Sequence, residues 1–317
     1  MKVSFVIPNF NGETLLQRNM PCVLEVIEKS GKSLDLTIEV IIVDDGSTDE
    51  SLSVLDGLMD KAASRHVSMQ VLKNAQNKGF APTVNKGVRV ATGDIIILLN
   101  TDVLPREGFL APLLTHFSNP EVFAVGCMDE SREKGKTVLR GRGLGEWKRG
   151  FLEHRRGEVD KSDTLWVSGG SGAFRKSIWD SLGGLCTLYA PFYWEDIDLS
   201  YRAQKAGYKI IFENKSIVEH KHDSGSIKKA STEEQIKVTA YRNQFFFVWL
   251  NITDTTLLLS HIFWLPYHIG KALKNNDSPF LKGLGQAMLH LGKVLQYRSR
   301  YKMLFSISDK KILSRYG

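Results

Sequence analysis

The sequence predicts an α/β protein: a doubly wound, mostly parallel sheet flanked by helices, followed by a C-terminal helical extension. Three observations point there. Short apolar strands alternate with helical stretches through the first half of the chain. Val40–Val43 and Ile95–Leu99 are unbroken aliphatic runs, as suits parallel strands covered on both faces. From Thr232 onward helical patterning takes over and becomes increasingly apolar.

In order, Val3–Ile7 reads as the first strand and Glu13–Lys29 as the first helix. Val40–Val43 is the second strand, and Asp49–Ala63 the second helix with Ser47 or Asp49 placed to cap it. Met69–Leu72 is a third strand, Ala81–Ala91 a helix despite Gly87, and Ile95–Leu99 a wholly buried strand. Residues 129–163 are polar, basic and rich in glycine, and predict a long loop or a pair of edge strands over a site. Arg175–Leu182 and Glu195–Ala206 read as helices, with Gly207 placed to close the second. Tyr208–Phe212 is a further strand. The division expected is a catalytic domain over 1–225 and a helical, basic region over 226–317.

The chain has 317 residues, 42% apolar and 24% charged, which excludes a wholly disordered, collagenous or disulfide-stapled protein. Cys22, Cys127 and Cys186 stand far apart with no C-x-x-C pair, which suits buried thiols in a reducing compartment. The net charge of +7 is concentrated: residues 270–317 carry ten Lys/Arg against Asp277 and Asp309, leaving the rest near −1. Such a tail suits an anionic lipid surface or a nucleic acid. No secretory leader is expected at Met1–Ile7, which runs straight into a strand. No membrane span is expected either, because Phe245–Ile269, the most apolar stretch, is broken by Asn251, Asp254, His261 and Pro266.

Two nucleotide motifs are absent. Gly31-Lys32-Ser33 and Gly135-Lys136-Thr137 lack the upstream glycine of a P-loop, and Gly141-x-Gly143-x-Gly145 follows no clear strand. Acids stand instead at strand ends, in Asp44-Asp45-Gly46-Ser47 and in Asn100-Thr101-Asp102. Ligands of open α/β sheets bind at the carboxyl ends of strands, so these acids suit a base-edge contact and a hard divalent cation. Further on, Phe192-Tyr193-Trp194-Glu195-Asp196-Ile197-Asp198 sets three acids behind three aromatics at a helix start. An apolar collar there would tune a carboxylate toward base work. His220 and His222 alternate just past a strand, and either could be a metal ligand.

With these motifs the chain resembles the family 2 glycosyltransferases, inverting enzymes of the GT-A fold that move a sugar from a nucleotide donor. The resemblance runs over about residues 2–225. It rests on Val6–Gly12, Val43–Asp49, Asn77-Lys78-Gly79-Phe80, Asn85-Lys86-Gly87, Leu99–Asp102, Trp194–Leu199 and His220. Within the family it is most similar to the rhamnosyltransferase-like bacterial enzymes of cell-wall and surface-polysaccharide assembly.

The resemblance implies roles. Pro8, Asn9 and Phe10 with Asp44 or Asp45 would hold nucleobase and ribose, while Asn77, Lys78, Gly79, Asn85 and Thr101 would line the donor pocket. Asp102 would be the metal-binding acid of the D-x-D motif, whose first acid is replaced here by Asn100, and His220 a further ligand of Mg²⁺ or Mn²⁺. Gly169, Gly170, Ser171 and Trp194 would shape the sugar pocket. Asp196 would be the base, with Glu195 its rival. The implied partners are a UDP- or dTDP-sugar, a glycan or polyprenyl-diphosphate-linked acceptor and an anionic membrane surface, with no nucleic acid. The alternative is a non-catalytic nucleotide-sugar or carbohydrate-binding protein on the same fold. The presence of Asp102, Asp196 and His220 favours the enzyme.

A location on the cytoplasmic face of the plasma membrane, peripheral and without a span, is expected through residues 245–305. Leu281, Leu284, Met288, Leu291 and Leu295 form an apolar helical stripe beside Lys282, Lys293, Arg298 and Arg300. Phe245, Phe246, Phe247, Trp249, Phe263, Trp264 and Tyr267 add interfacial aromatics.

Overall fold

A computed structural model describes residues 1–133, 136–220 and 231–316. Its strands, in chain order, are β1 (Lys2–Asn9), β2 (Thr37–Asp44), β3 (Ser68–Lys73), β4 (Ile95–Leu99), β5 (Val103–Pro105), β6 (Val122–Glu133), β7 (Lys136–Arg140), β8 (Gly143–Lys148), β9 (Phe151–Arg156), β10 (Ser171–Arg175) and β11 (Lys209–His220). The helices are α1 (Glu13–Leu34), α2 (Ser51–Ser64), α3 (Phe80–Val90), α4 (Leu110–Thr115), α5 (Lys176–Leu182), α6 (Glu195–Lys205), α7 (Glu233–Asn251), α8 (Thr255–Lys274), α9 (Ser278–Leu289), α10 (Leu291–Lys302) and α11 (Asp309–Leu313).

The main sheet runs β3-β2-β1-β4-β10-β6-β11-β5, with β7 paired to β6. Pairs among β1 to β4 are parallel, as is β6 with β11, while β10 runs antiparallel between β4 and β6. The unbroken aliphatic strands are covered on both sides, as expected. Val3, Phe5 and Ile7 of β1 pack with Leu16, Met20, Val23, Leu24 and Ile27, which recur at steps of three and four along α1. Val6 faces the other way, with Ile41, Val43, Ile96 and Leu98, onto Ala81, Val84 and Val88 of α3. Full burial of side chains of this size is worth about 1.5–3 kcal/mol each.

α2 begins at Ser51, later than expected. Asp49 does not cap it as a helix residue; its carboxylate accepts the backbone N–H of Ser51 and of Glu13, tying the starts of α1 and α2 together. Gly207 closes α6 as foreseen, with φ +93° and Tyr208 N–H returning to Ala203 O.

Of the two readings of residues 129–163, a long loop or edge strands, the described residues follow the strands. They contribute the end of β6, β7, and the separate hairpin β8–β9. Its two-residue turn is Arg149-Gly150, both at positive φ (47° and 83°), as a type I′ hairpin requires. Gly150 also lies so close to α8 that a Cβ there would stand 2.8 Å from His261 Cα.

The C-terminal helices share a core with the region that precedes them. Phe245, Phe246 and Phe247 of α7 are fully buried among Phe151, Leu152, Tyr189, Trp194, Ile197 and Tyr201. Their aromatic character therefore serves packing and not an interface, contrary to expectation. The expected stripe over 281–295 is also divided, because helix α9 ends before His290 and α10 begins after it. Leu281 and Leu284 pack on the core cluster, whereas Met288 and Leu295 are exposed. Among the described residues no helix is long and apolar enough to cross a membrane.

Candidate functional site

Parallel strands β1, β2 and β4 end side by side, and the site grows from their carboxyl ends. Asn9 and Asp44 are register partners; Asn9 Nδ2 donates to Asp44 Oδ1 at 2.9 Å, and Ser47 Oγ donates to the same oxygen at 2.6 Å. Pro8 and Phe10 flank them, half-buried. Asp45 is buried, and its carboxylate accepts the backbone N–H of Lys78 (3.0 Å) and Gly79 (2.9 Å) and Asn74 Nδ2 (2.7 Å). It thus shapes the Asn77-Lys78-Gly79 loop from behind, while Asn77 and Lys78 are exposed. Gly79 has φ +88°, and a Cβ would meet Pro191 Cα at 2.8 Å, so only glycine lets this loop touch the segment that leads to Asp196. Asn85 acts as scaffold where a pocket-lining residue was expected: its amide donates to Leu185 O and accepts Leu185 N–H. The Thr101 carbonyl accepts Asn19 Nδ2 at 2.7 Å.

Beyond β4, Asp102 meets the end of β11. His220 Nε2 lies 3.2 Å from Asp102 Oδ2, and its Nδ1 lies 3.0 Å from Asp129 Oδ2 on β6. Ser131 Oγ donates to the other Asp129 oxygen at 2.8 Å. Burial opposes charge on His220, but its hydrogen bonds to Asp102 and Asp129 outweigh that and lift it to about 9. Asp102 Oδ1 is buried with no hydrogen-bond partner among the described residues, and so is Asn100 Oδ1. The unpartnered Asp102 oxygen suits a divalent cation, and His220 would join it only as neutral imidazole, after giving up the proton that its contacts with Asp102 and Asp129 favour. Among the described residues no group of three His, Cys, Asp or Glu encloses one, so diphosphate oxygens and water would complete the shell. His222 lies outside the described residues.

The third part of the site is the start of α6. Tyr193 and Trp194 both adopt positive φ (73° and 77°) immediately before α6, a strained turn that presents Glu195 and Asp196 at the helix start. Asn243 of α7 holds this turn from below, its Nδ2 within reach of Tyr189 O (2.8 Å), Phe192 O (2.9 Å) and Tyr193 O (2.9 Å). The Trp194 ring packs on Phe247 and against His154 of β9, with centroids 5.2 and 5.1 Å away. Asp196 accepts Ile197 N–H at 2.8 Å and Gly169 N–H at 3.4 Å. One residue on, Gly170 O accepts Asn100 N–H at 2.9 Å, and Ser171 opens β10 against Leu99. Two glycines therefore bridge the two acidic ends of the site.

Burial raises the Asp196 carboxyl above its usual range despite those backbone hydrogen bonds. Burial, reinforced by the adjacent Asp196, pushes Glu195 up to about 8, and Glu195 Oε2 has no partner among the described residues. Asp198, the third acid, is fully buried and serves structure, accepting from Tyr189 Oη, Asn251 Nδ2 and Arg202 Nε. Because the folded pKa of Glu195 lies above its ordinary 4.5, the native state keeps a proton that the unfolded chain loses. The stability involved is complete below pH 4.5 and lost as pH rises through about 8. Glu195→Gln should therefore flatten the fall in melting temperature between pH 5 and 8.5; a thermal-shift series in which wild type and variant fall in parallel would refute this.

Asp129 and Asn243 escaped sequence reasoning. Asp129 opens a stretch read as a long loop or a pair of edge strands, and its nearness to His220 depends on the β6–β11 pairing. Asn243 offered one signal, a polar residue inside an aromatic run.

The fold is that of the GT-A glycosyltransferases. Solved structures share it: the S. aureus TarS fragment 1–349 in complex with UDP-GlcNAc has a TM-score of 0.59 at 14% identity, covering 100% of this chain and 89% of that one. A mannosyltransferase from Pyrobaculum calidifontis, in complex with GDP-Man and Mn²⁺, has a TM-score of 0.56 at 18% identity, covering 95% and 83%. Residues 4–183 match the family described as Glycosyl transferase family 2, and the chain belongs to that family. Among curated relatives, the pre-mycofactocin glycosyltransferase of Mycobacterium tuberculosis is 30% identical over 193 residues, 58% of this chain. The chain spans only 38% of that protein's length. The O-antigen chain rhamnosyltransferase RfbN of Salmonella typhimurium is 25% identical over 232 residues, 70% of this chain and 67% of its own.

Proposed function

We propose that this protein is an inverting glycosyltransferase that moves a sugar from a UDP- or dTDP-sugar to a hydroxyl of a glycan or lipid-linked glycan in cell-wall or surface-polysaccharide assembly. The observation that carries the reading is the Gly169-Gly170 bridge, with Asp196 at one end and Asn100, two residues from Asp102, at the other. A base and a diphosphate-stabilising group held in one site are what a single displacement at an anomeric carbon needs. The Salmonella relative, by its name an O-antigen chain rhamnosyltransferase, supports the acceptor class.

In this reading the Asp44 side of the crevice takes the base and ribose, and the loop held by Asp45 faces the phosphates. Asp196 takes the proton from the acceptor hydroxyl as it attacks, because a neutral hydroxyl is a poor nucleophile. Trp194 and the two glycines hold sugar and acceptor in line. Asp102, with His220 once deprotonated, would hold Mg²⁺ or Mn²⁺, and such an ion would neutralise charge developing on the nucleoside diphosphate. Place of work would be the cytoplasmic face of the plasma membrane, where lipid-linked acceptors and the basic C-terminal region meet.

Release of nucleoside diphosphate from a panel of UDP- and dTDP-sugars tests the reading; a protein that binds donors and never turns them over is the non-catalytic alternative. For the metal, Asp102→Ala should weaken nucleoside-diphosphate binding by about tenfold or more, and EDTA should do the same to wild type. His220→Ala should raise the metal requirement more than His222→Ala. Undiminished binding and turnover in EDTA would remove the metal from the mechanism.

A further inference from the structure

Helix α8 carries its apolar residues on the wrong side for an ordinary surface helix. Leu259, Ile262, Phe263, Tyr267 and Leu273 are 60, 67, 76, 42 and 62% exposed, and together with exposed Pro266 and Gly270 they form one helical stripe, in which 259, 263, 266, 270 and 273 recur at steps of three and four. The opposite side is occupied as well: His261 and Ala272 are buried, and Leu258, Leu265 and Ile269 pack on the core cluster. Contiguous exposed apolar surface of this kind marks an interaction site.

The charges beside the stripe select the partner. α8 contains no acid, and Lys271 and Lys274 occupy its last turn. Arg149, at the hairpin turn, lies with its guanidinium 5.4 Å from the Tyr267 ring and 5.8 Å from the Trp264 ring. A second copy of the chain would bring the same cations into the same contact, whereas anionic headgroups would complement them. We propose that this face of α8 lies on an anionic bilayer, its apolar stripe in the boundary between headgroups and acyl chains. The inserted element is then α8, and the phenylalanines of α7, buried in the core, are not part of it.

The inner side of α8 relates that surface to the chemistry. His261 Nδ1 donates to Gly150 O at 2.7 Å, His268 Nε2 to Arg149 O at 2.8 Å, and Trp147 Nε1 to Ser260 Oγ at 3.3 Å. α8 thus grips the turn of the β8–β9 hairpin, and the same hairpin sets His154 against Trp194, two residues from Asp196. A bilayer under α8 holds the base end of the site at a fixed place above the membrane, within reach of an acceptor carried on a lipid. This last step rests on the function proposed above; the docking surface itself does not.

Flotation of the full chain with phosphatidylcholine vesicles, with and without phosphatidylglycerol, tests the inference against the variant I262E/F263E. Both residues are exposed, so the variant should keep the wild-type melting temperature and the same release of nucleoside diphosphate from a soluble donor. Wild type should float with the anionic vesicles and lose that binding in high salt, and the variant should bind about tenfold more weakly or worse. Equal flotation of the two proteins, or indifference to phosphatidylglycerol, would overturn the docking surface. So would a wild-type dimer that the variant turns into a monomer while vesicle binding persists, because the stripe would then serve self-association. Vesicle binding as expected, with no donor turned over, would sink the proposed function and leave the docking surface standing.

Discussion

Asp196→Asn should abolish sugar transfer while donor binding stays intact. The change removes proton acceptance but keeps the shape, and the amide oxygen still receives the Ile197 N–H that now reaches the carboxylate at 2.8 Å. A positioned base contributes about 10²–10⁴-fold, so kcat should fall by that amount with little change in donor affinity. The pH profile supplies a second readout. A base must be ionised, so activity is present above its pKa and lost as pH falls through it. Since burial holds Asp196 above the usual aspartate range, the acid limb of the wild-type profile should lie higher than an ordinary carboxylate would place it. The residual activity of the variant should lack that limb. Transfer at near-normal rate would transfer the role to Glu195 or remove it altogether.

Asp309→Ala should cost about 3–5 kcal/mol, the usual result of breaking a buried ion pair from one side. Lys205 Nζ and Asp309 Oδ1 stand 2.7 Å apart with both side chains fully buried. The carboxylate also accepts the backbone N–H of Thr253 (2.7 Å) and Asp254 (2.8 Å) and the hydroxyl of Tyr201 (2.8 Å). Burial already pulls the Lys205 ammonium below its ordinary pKa, with Asp309 opposing that pull. Removing Asp309 therefore leaves a desolvated amine and several unmatched donors together. Urea unfolding should show the loss directly. The pair K205M/D309L should be less damaged than Asp309→Ala alone, because it buries no orphaned charge. A single variant within 1 kcal/mol of wild type would mean that water reaches this pair.

What the sequence disclosed, and what it hid, divides along physical lines. The parallel sheet was legible because strands such as Ile95–Leu99 are aliphatic on both faces, a pattern that only a doubly covered strand tolerates. Asp44, Asp45, Asp102 and Asp196 were legible as a set because their neighbours in sequence place them at strand and helix ends. Asp129 was not, since its meeting with His220 is created by strand pairing across 91 residues. The hairpin β8–β9 was half-hidden because its turn is Arg-Gly rather than the Asn-Gly that usually announces a type I′ turn. Phe245–Phe247 misled for a different reason: aromatic residues look alike in sequence whether they face a bilayer or a core. The break at His290 carries no proline, and Gly283, Gly285 and Gly292 are spread too widely to locate it.

The contact between Trp194 and Phe247 has an evolutionary side. Gene segments encoding sugar-transfer domains could be exchanged freely only where no core crosses the junction. Here a junction near residue 225 would separate Trp194 from Phe247, Asp198 from Asn251 and Lys205 from Asp309 in one cut. A chimaera made there inherits three mismatches along the length of α6, from the Trp194 turn to Lys205. Lineages that change acceptor should therefore do so by point changes along the crevice, or by replacing the hairpin, and carry the helical region along unaltered.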